Sequence, residues 1–213
     1  MQVRTWKKEV IALPEGGTHY GFVWQGEAKL RRSQQTAPFP LTAGMYFSIA
    51  EAATVGGDRS TGFIVTHLVH TGRFQLGGPI ASTGRFAYID GGLTSLLIGP
   101  VAKGDPCLHA LYMPAGVEQT VHSHPSDRIG LIIQGEGYCV ADKTRHALRP
   151  GVLFHIPPNQ PHQFCTGQPL LFIVFHPDSD IGFSDRNHPM LRRTFVNNIS
   201  ATDIPEIQTP LRP

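Results

Sequence analysis

GLIIQGE, from Gly130 to Glu136, has an echo 109 residues upstream in GFVWQGE, from Gly21 to Glu27. Each couples a short apolar run to a Gln-Gly-Glu bend, the pattern of a buried strand entering a tight turn. The likeness continues downstream, where LTAGMYFSI (Leu41 to Ile49) matches LRPGVLFHI (Leu148 to Ile156) at an offset of 107. Upstream, LPEGG (Leu13 to Gly17) resembles MPAGV (Met113 to Val117) at an offset of 100. Similar segments in the same order imply two copies of one supersecondary unit. The shorter upstream offset implies that the first copy lost about nine residues there, the piece that carries a histidine pair in the second. On the same alignment His19 stands opposite Arg128, and Val55 opposite His162.

The rest of the chain reads as the same kind of structure. GFIVTHLV, TSLLI, HALYM and LLFIVF are further short apolar runs, separated by Gly, Pro, Asn and Asp. MYFSIAEAAT is the one segment that could also be helical. Charged residues make up only 16% of the 213, while Gly (23) and Pro (18) are frequent, which suits many strands joined by tight turns. The expectation is an all-β sandwich or barrel. A net charge of +2 provides no field for nucleic acid or a membrane surface. Three cysteines without CxxC spacing fit buried free thiols in a reducing compartment. The N-terminal stretch lacks the apolar core of a signal peptide, and no run approaches the roughly 18 apolar residues of a membrane span. A soluble cytoplasmic protein is expected.

Outward from GLIIQGE lies VHSHPSDR, Val121 to Arg128. Strand alternation would put His122 and His124 on one face. A third histidine, His162, follows the turn PPNQP. Three imidazoles can hold Fe, Ni, Cu, Mn or Zn and leave positions open for water or substrate.

These residues resemble the cupin superfamily. Gly116, His122, His124 and Gly135 match its first motif, and Gly151, Pro157 and His162 its second. The resemblance implies a double-stranded β-helix, here a jelly-roll barrel, in two fused cupin-like units. Residues 1–75 would be a degenerate half without metal ligands, 76–185 the metal-binding barrel, and 186–213 a tail packed on the barrel or a partner. It also implies a divalent metal (Fe, Ni, Mn or Zn) on His122, His124 and His162, and a homodimer.

Arg128 departs from the pattern, because the family places a glutamate or glutamine there. Three readings stay open. Arg128 faces the pocket and clamps an anionic substrate through its planar fork. It faces the pocket and repels metal. Or the register slips and Asp127 supplies a further ligand, as a β-bulge could arrange. His176, Tyr138 and Gln134 are candidate bases by sequence proximity alone. His19 is expected to be structural. Asp178, Asp180 and Asp185 only loosely resemble a calcium loop. After Val196 the chain is expected to be extended.

The resemblance makes a metal-dependent dioxygenase the first functional expectation, with an isomerase or lyase next. The small-molecule substrate would be anionic and held against the metal by Arg128. The alternative is a non-catalytic small-molecule binding or sensing cupin.

Overall fold

The computed structural model describes residues 1–180 and 189–208. The expected strands all form, including the ambiguous MYFSIAEAAT, which becomes two short strands. In the first half β1 (Gln2–Lys7), β2 (Val10–Leu13), β3 (Thr18–Gln25), β4 (Glu27–Arg32), β5 (Phe39–Thr42), β6 (Tyr46–Ile49), β7 (Ala53–Gly56), β8 (Thr61–His67) and β9 (Gln75–Gly77) make two sheets. Their orders are β1-β8-β3-β6-β9 and β2-β7-β4-β5.

The second half repeats this plan. It contains β10 (Phe86–Ala87), β11 (Leu93–Ile98), β12 (Cys107–Met113), β13 (Arg128–Gln134), β14 (Gly137–Ala141), β15 (Thr144–Leu148), β16 (Leu153–Ile156), β17 (His162–Thr166) and β18 (Leu170–His176). Its sheets run β10-β11-β12-β18-β13-β16 and β15-β14-β17. The pairings β3–β6, β3–β8, β4–β5 and β4–β7 recur as β13–β16, β13–β18, β14–β15 and β14–β17.

Local details recur with the plan. The ladder of β3 shifts register between Val23 and Gln25, and that of β13 between Ile132 and Gln134. Gly26 and Gly135 both take positive φ, and a Cβ would lie 1.7 Å from the Arg59 carbonyl oxygen or 1.9 Å from that of Pro169. Only glycine fits such a left-handed, close approach, so the Gln-Gly-Glu bend is a structural device in both copies.

The ladders correct part of the sequence alignment. Leu13 pairs with Ala53 in the first unit, and His122 bridges His162 at the equivalent place in the second. From there to the start of the matched strands the spacing is the same, six residues from Leu13 to His19 and from His122 to Arg128. LPEGG therefore corresponds to HSHPS, not to MPAGV. The first copy lost its histidines by substitution rather than by deletion. Leu13, Glu15 and Ala53 stand where the second has His122, His124 and His162. Val55 corresponds to Phe164, because Leu30 pairs with Val55 as Cys139 pairs with Phe164.

Each unit buries its own core. Trp6, Phe47 and Ile64 lie in the first, and Ile132, Phe164 and Phe172 in the second. A third cluster joins the two units back to back. Tyr20, Phe22, Phe63 and Val65 from β3 and β8 meet Leu108, Ile129, Leu131 and Phe175 from β12, β13 and β18. Strand alternation thus gives β3 and β13 two apolar faces, one for each layer they touch.

The C-terminal segment departs from the expected extended chain. A short helix, α1 (Pro189–Arg192), precedes a hairpin of β19 (Phe195–Val196) and β20 (Ile199–Ser200), followed by two 3₁₀ turns. The hairpin bend is Asn197-Asn198, both with positive φ, the conformation that asparagine tolerates in tight hairpins. Asp185 of the loose calcium-loop pattern lies outside the described residues. Among those residues, no helix is long and apolar enough to cross a membrane.

Candidate metal centre

His122 and His162 face each other across reciprocal backbone bonds, His122 N to His162 O at 3.0 Å and His162 N to His122 O at 2.9 Å. This bridge takes the place of a regular strand and sets two imidazoles side by side, with ring centroids 4.5 Å apart. His124 joins them at 5.0 Å from His122 and 5.2 Å from His162. One ligand atom from each of the three lies within 4.8 Å of the others.

The backbone fixes which nitrogen is presented. Nδ1 of His122 lies 2.8 Å from the Thr120 carbonyl, and Nδ1 of His162 lies 2.9 Å from the Gln160 carbonyl. A carbonyl only accepts, so Nδ1 carries the proton in both, and Nε2 keeps a lone pair. Nε2 of His162 is buried and has no hydrogen-bond partner. An orphaned buried acceptor costs free energy unless something occupies it. Burial, with Arg128 and the neighbouring imidazoles, brings His124 down to about 3, and burial also lowers His162. Nδ1–H groups locked on His122 and His162 aim both Nε2 lone pairs at the cluster, the orientation a divalent metal requires of its imidazole ligands.

The three histidines line a cavity of about 280 Å³ inside the second barrel, walled by Phe154, Phe164, Phe172 and Val174. Arg128 lines the same cavity. Its Nη1 donates to the carbonyls of Ser126 (3.0 Å) and Asp127 (2.9 Å) and to Ser126 Oγ (2.8 Å), while its buried Nε has no partner. Asp127 is not brought to the imidazoles. Its carboxylate is held by His155 Nε2 at 2.6 Å, and it lines a separate outer pocket with Met1 and Val3. The reading that makes Asp127 a ligand is corrected by simple alternation: Arg128 lines the cavity and the ladder runs unbroken from Arg128–Ile156 to Leu131–Leu153, so the neighbouring Asp127 turns to the other face. His19, at the place of Arg128 in the first unit, accepts from Thr66 Oγ1 at 2.8 Å and donates to the Pro14 carbonyl at 2.9 Å. It is fully paired and plays a structural part.

Sequence proximity misjudged two of the other candidates. Gln134 is exposed, and Tyr138 carries Arg145 over its ring, 4.5 Å from the centroid; neither lines the cavity. His176 does line it, together with His109, Gln119, Thr94 and Tyr88. Tyr88 Oη stands 3.5 Å from His122 Nε2. The turn after Tyr88 is clamped on the histidine segment by Asp90, which accepts from Thr120 N at 2.7 Å and from Thr120 Oγ1 at 3.2 Å. Burial raises the Tyr88 phenol, while Arg128 draws it down. In sequence Tyr88 sits in AYIDGG, ordinary turn chemistry; only the added strands β10 and β11 bring it over the site.

Residues 108–176 match the family model of the cupin domain. Solved structures similar to the chain include a variant of salicylate 1,2-dioxygenase from Pseudoaminobacter salicylatoxidans, at 12% identity and a TM-score of 0.59, covering 82% of this chain and 70% of that one. Protein Ylba from E. coli is similar at 13% identity and a TM-score of 0.61, covering 85% and 84%. A Cupin 2 conserved barrel domain protein from Leptotrichia buccalis is similar at 14% identity and 0.56, covering 83% and 89%. No curated protein matches the chain. Residues 108–176 are thus a cupin domain, and the chain as a whole has the cupin fold.

Proposed function

We propose that the second barrel binds a divalent metal on His122, His124 and His162 and acts on a small anionic substrate, with dioxygenation the first reaction to test. The observation that carries this reading is the buried, unpartnered Nε2 of His162 beside two further imidazoles in a cavity walled on one side by phenylalanines. A metal held there would polarise an oxygen-bearing substrate and, as iron, would supply redox chemistry. The chain supplies the rest. Phe154, Phe164 and Phe172 exclude water and offer flat apolar walls. Arg128 places a positive charge and an unused Nε–H where a carboxylate of the substrate would sit. Tyr88 is positioned to hold or move a proton at its phenol oxygen. Salicylate 1,2-dioxygenase is solved with gentisate, so hydroxylated aromatic acids are the compounds to try first.

The test is oxygen uptake by the iron-loaded chain over a panel of such acids, with Arg128→Met alongside. We expect uptake with an aromatic hydroxy acid. In Arg128→Met, binding of that acid should weaken by about 1.5–3 kcal/mol, the worth of a charge-assisted hydrogen bond, or roughly tenfold to a hundredfold. If Arg128→Met instead binds metal more tightly and the acid equally well, the arginine repels cations and the clamp is wrong. Binding of the acid without turnover would favour the non-catalytic binding protein.

A further inference from the structure

We infer that Cys107, His109 and His176 form a second metal-binding site, suited to a borderline or soft divalent cation such as Zn²⁺ and distinct from the three imidazoles. The inference does not depend on the proposed reaction. One ligand atom from each of these residues lies within 4.8 Å of the others, the same closeness as in the three-histidine set. The ladder makes the cluster. Cys107 and His176 are direct partners between β12 and β18, and His109 lies two residues along on the same face. The His109 and His176 rings stack at 4.8 Å with an interplanar angle of 18°.

The hydrogen bonding prepares a ligand here as well. The Thr94 hydroxyl donates to the Ala110 carbonyl at 3.2 Å, so its oxygen can only accept from His109 Nδ1, also at 3.2 Å. That assigns the proton to Nδ1 and leaves Nε2 as a donor of a lone pair. Cys107 and His109 are buried, and the cavity that reaches the first site also reaches His109 and His176, which gives an ion a way in. An ion of the zinc type binds nitrogen and sulfur at about 2.0–2.3 Å, which draws its ligands to roughly 3.3–3.7 Å apart. Closing from the observed spacing needs side-chain rotation, not movement of the strands.

Charge is the objection to meet, because Arg128 lies near. Its Nη1 is turned to the carbonyls of Ser126 and Asp127, and Ser126 Oγ donates to Asp178, whose carboxylate offsets the guanidinium. A coordinating cation takes the place of the Cys107 thiol proton. The resulting thiolate cancels one of the cation's two charges. The barrel does not need these residues for its own sake. At the same corner of the first unit, Gln2 pairs with Thr66, and two residues along stands Arg4. Among the described residues, the second ligand set appears only beside the three histidines.

Cobalt(II) is the probe, because a thiolate ligand gives it an intense near-ultraviolet charge-transfer band that all-nitrogen sites lack. The full chain, Cys107→Ser, His176→Gln and the double variant His122→Ala/His162→Ala would each be titrated with Co²⁺ and then with competing Zn²⁺. We expect the band in the parent and in the double variant, and its displacement by Zn²⁺. It should be absent in Cys107→Ser and at least tenfold weaker in cobalt affinity in His176→Gln. Near-ultraviolet circular dichroism of the metal-free variants shows whether each is folded; an unfolded Cys107→Ser leaves His176→Gln as the test. No band in the parent overturns the inference, as does a band that survives in Cys107→Ser. Loss of the band in the folded double variant would also overturn it, since the thiol would then belong to one shared site.

Discussion

His19 and Arg128 occupy equivalent places in the two units and have been put to opposite uses. In the first, the imidazole is closed between Thr66 and Pro14 and held neutral; burial keeps it below its ordinary 6.5. The unfolded chain takes up a proton near 6.5 and the folded chain resists it, so the stability contributed by neutral His19 is present above 6.5 and is lost as pH falls below it. Melting temperatures measured between about pH 7 and about pH 5 should fall less steeply for His19→Gln than for the parent. Equal slopes would mean that His19 takes up its proton in the folded chain as readily as in the unfolded one. At this scale the sequence was informative wherever spacing was constant. The three histidines and the His19–Arg128 correspondence were legible, whereas the direction of Arg128 stayed open among three readings. Tyr88 and the Cys107–His109–His176 set were not, because their neighbours come from strands far along the chain.

Among the elements, the bend GLIIQGE does most to define the unit. Gly130 lets β16 close on β13, since a Cβ there would lie 2.3 Å from Phe154 Cζ and 2.6 Å from the Ile173 carbonyl. Gly21 stands in the same relation to Phe47. Gly130→Ala should therefore destabilise the chain by about 1–3 kcal/mol, the usual cost of overpacking, as read by urea denaturation. An unchanged midpoint would show that Phe154 has room to turn away. These strands were readable because apolar runs and glycines mark them. The upstream segment was misaligned, because MPAGV and LPEGG agree only in small turn residues. What sets the true correspondence is the ladder, Leu13 on Ala53 and His122 on His162, and ladder partners cannot be read from one short match.

The molecule as a whole is two copies of one strand plan sharing an apolar seam. The repeat announced two units, but how they meet was not legible, because residues at the seam are of the same apolar kinds as those in each core. Tyr20 and Phe175 pack across it with ring centroids 4.9 Å apart, and Phe175 is fully buried. A seam of this type couples the units, so denaturant should unfold the chain in one transition. Phe175→Ala should lower its stability by about 3–5 kcal/mol and leave the transition single. A plateau with one half folded would show that the barrels stand independently.

The substituted histidines of the first unit confine the three-imidazole cluster to the second. Its most direct test as a metal centre is metal content after chelator-free purification, loading and gel filtration, comparing the parent with His162→Ala. The parent should retain metal, and His162→Ala should lose the equivalent held by the imidazoles. A parent that retains none, or a folded His162→Ala that retains as much as the parent, would contradict the proposed metal centre.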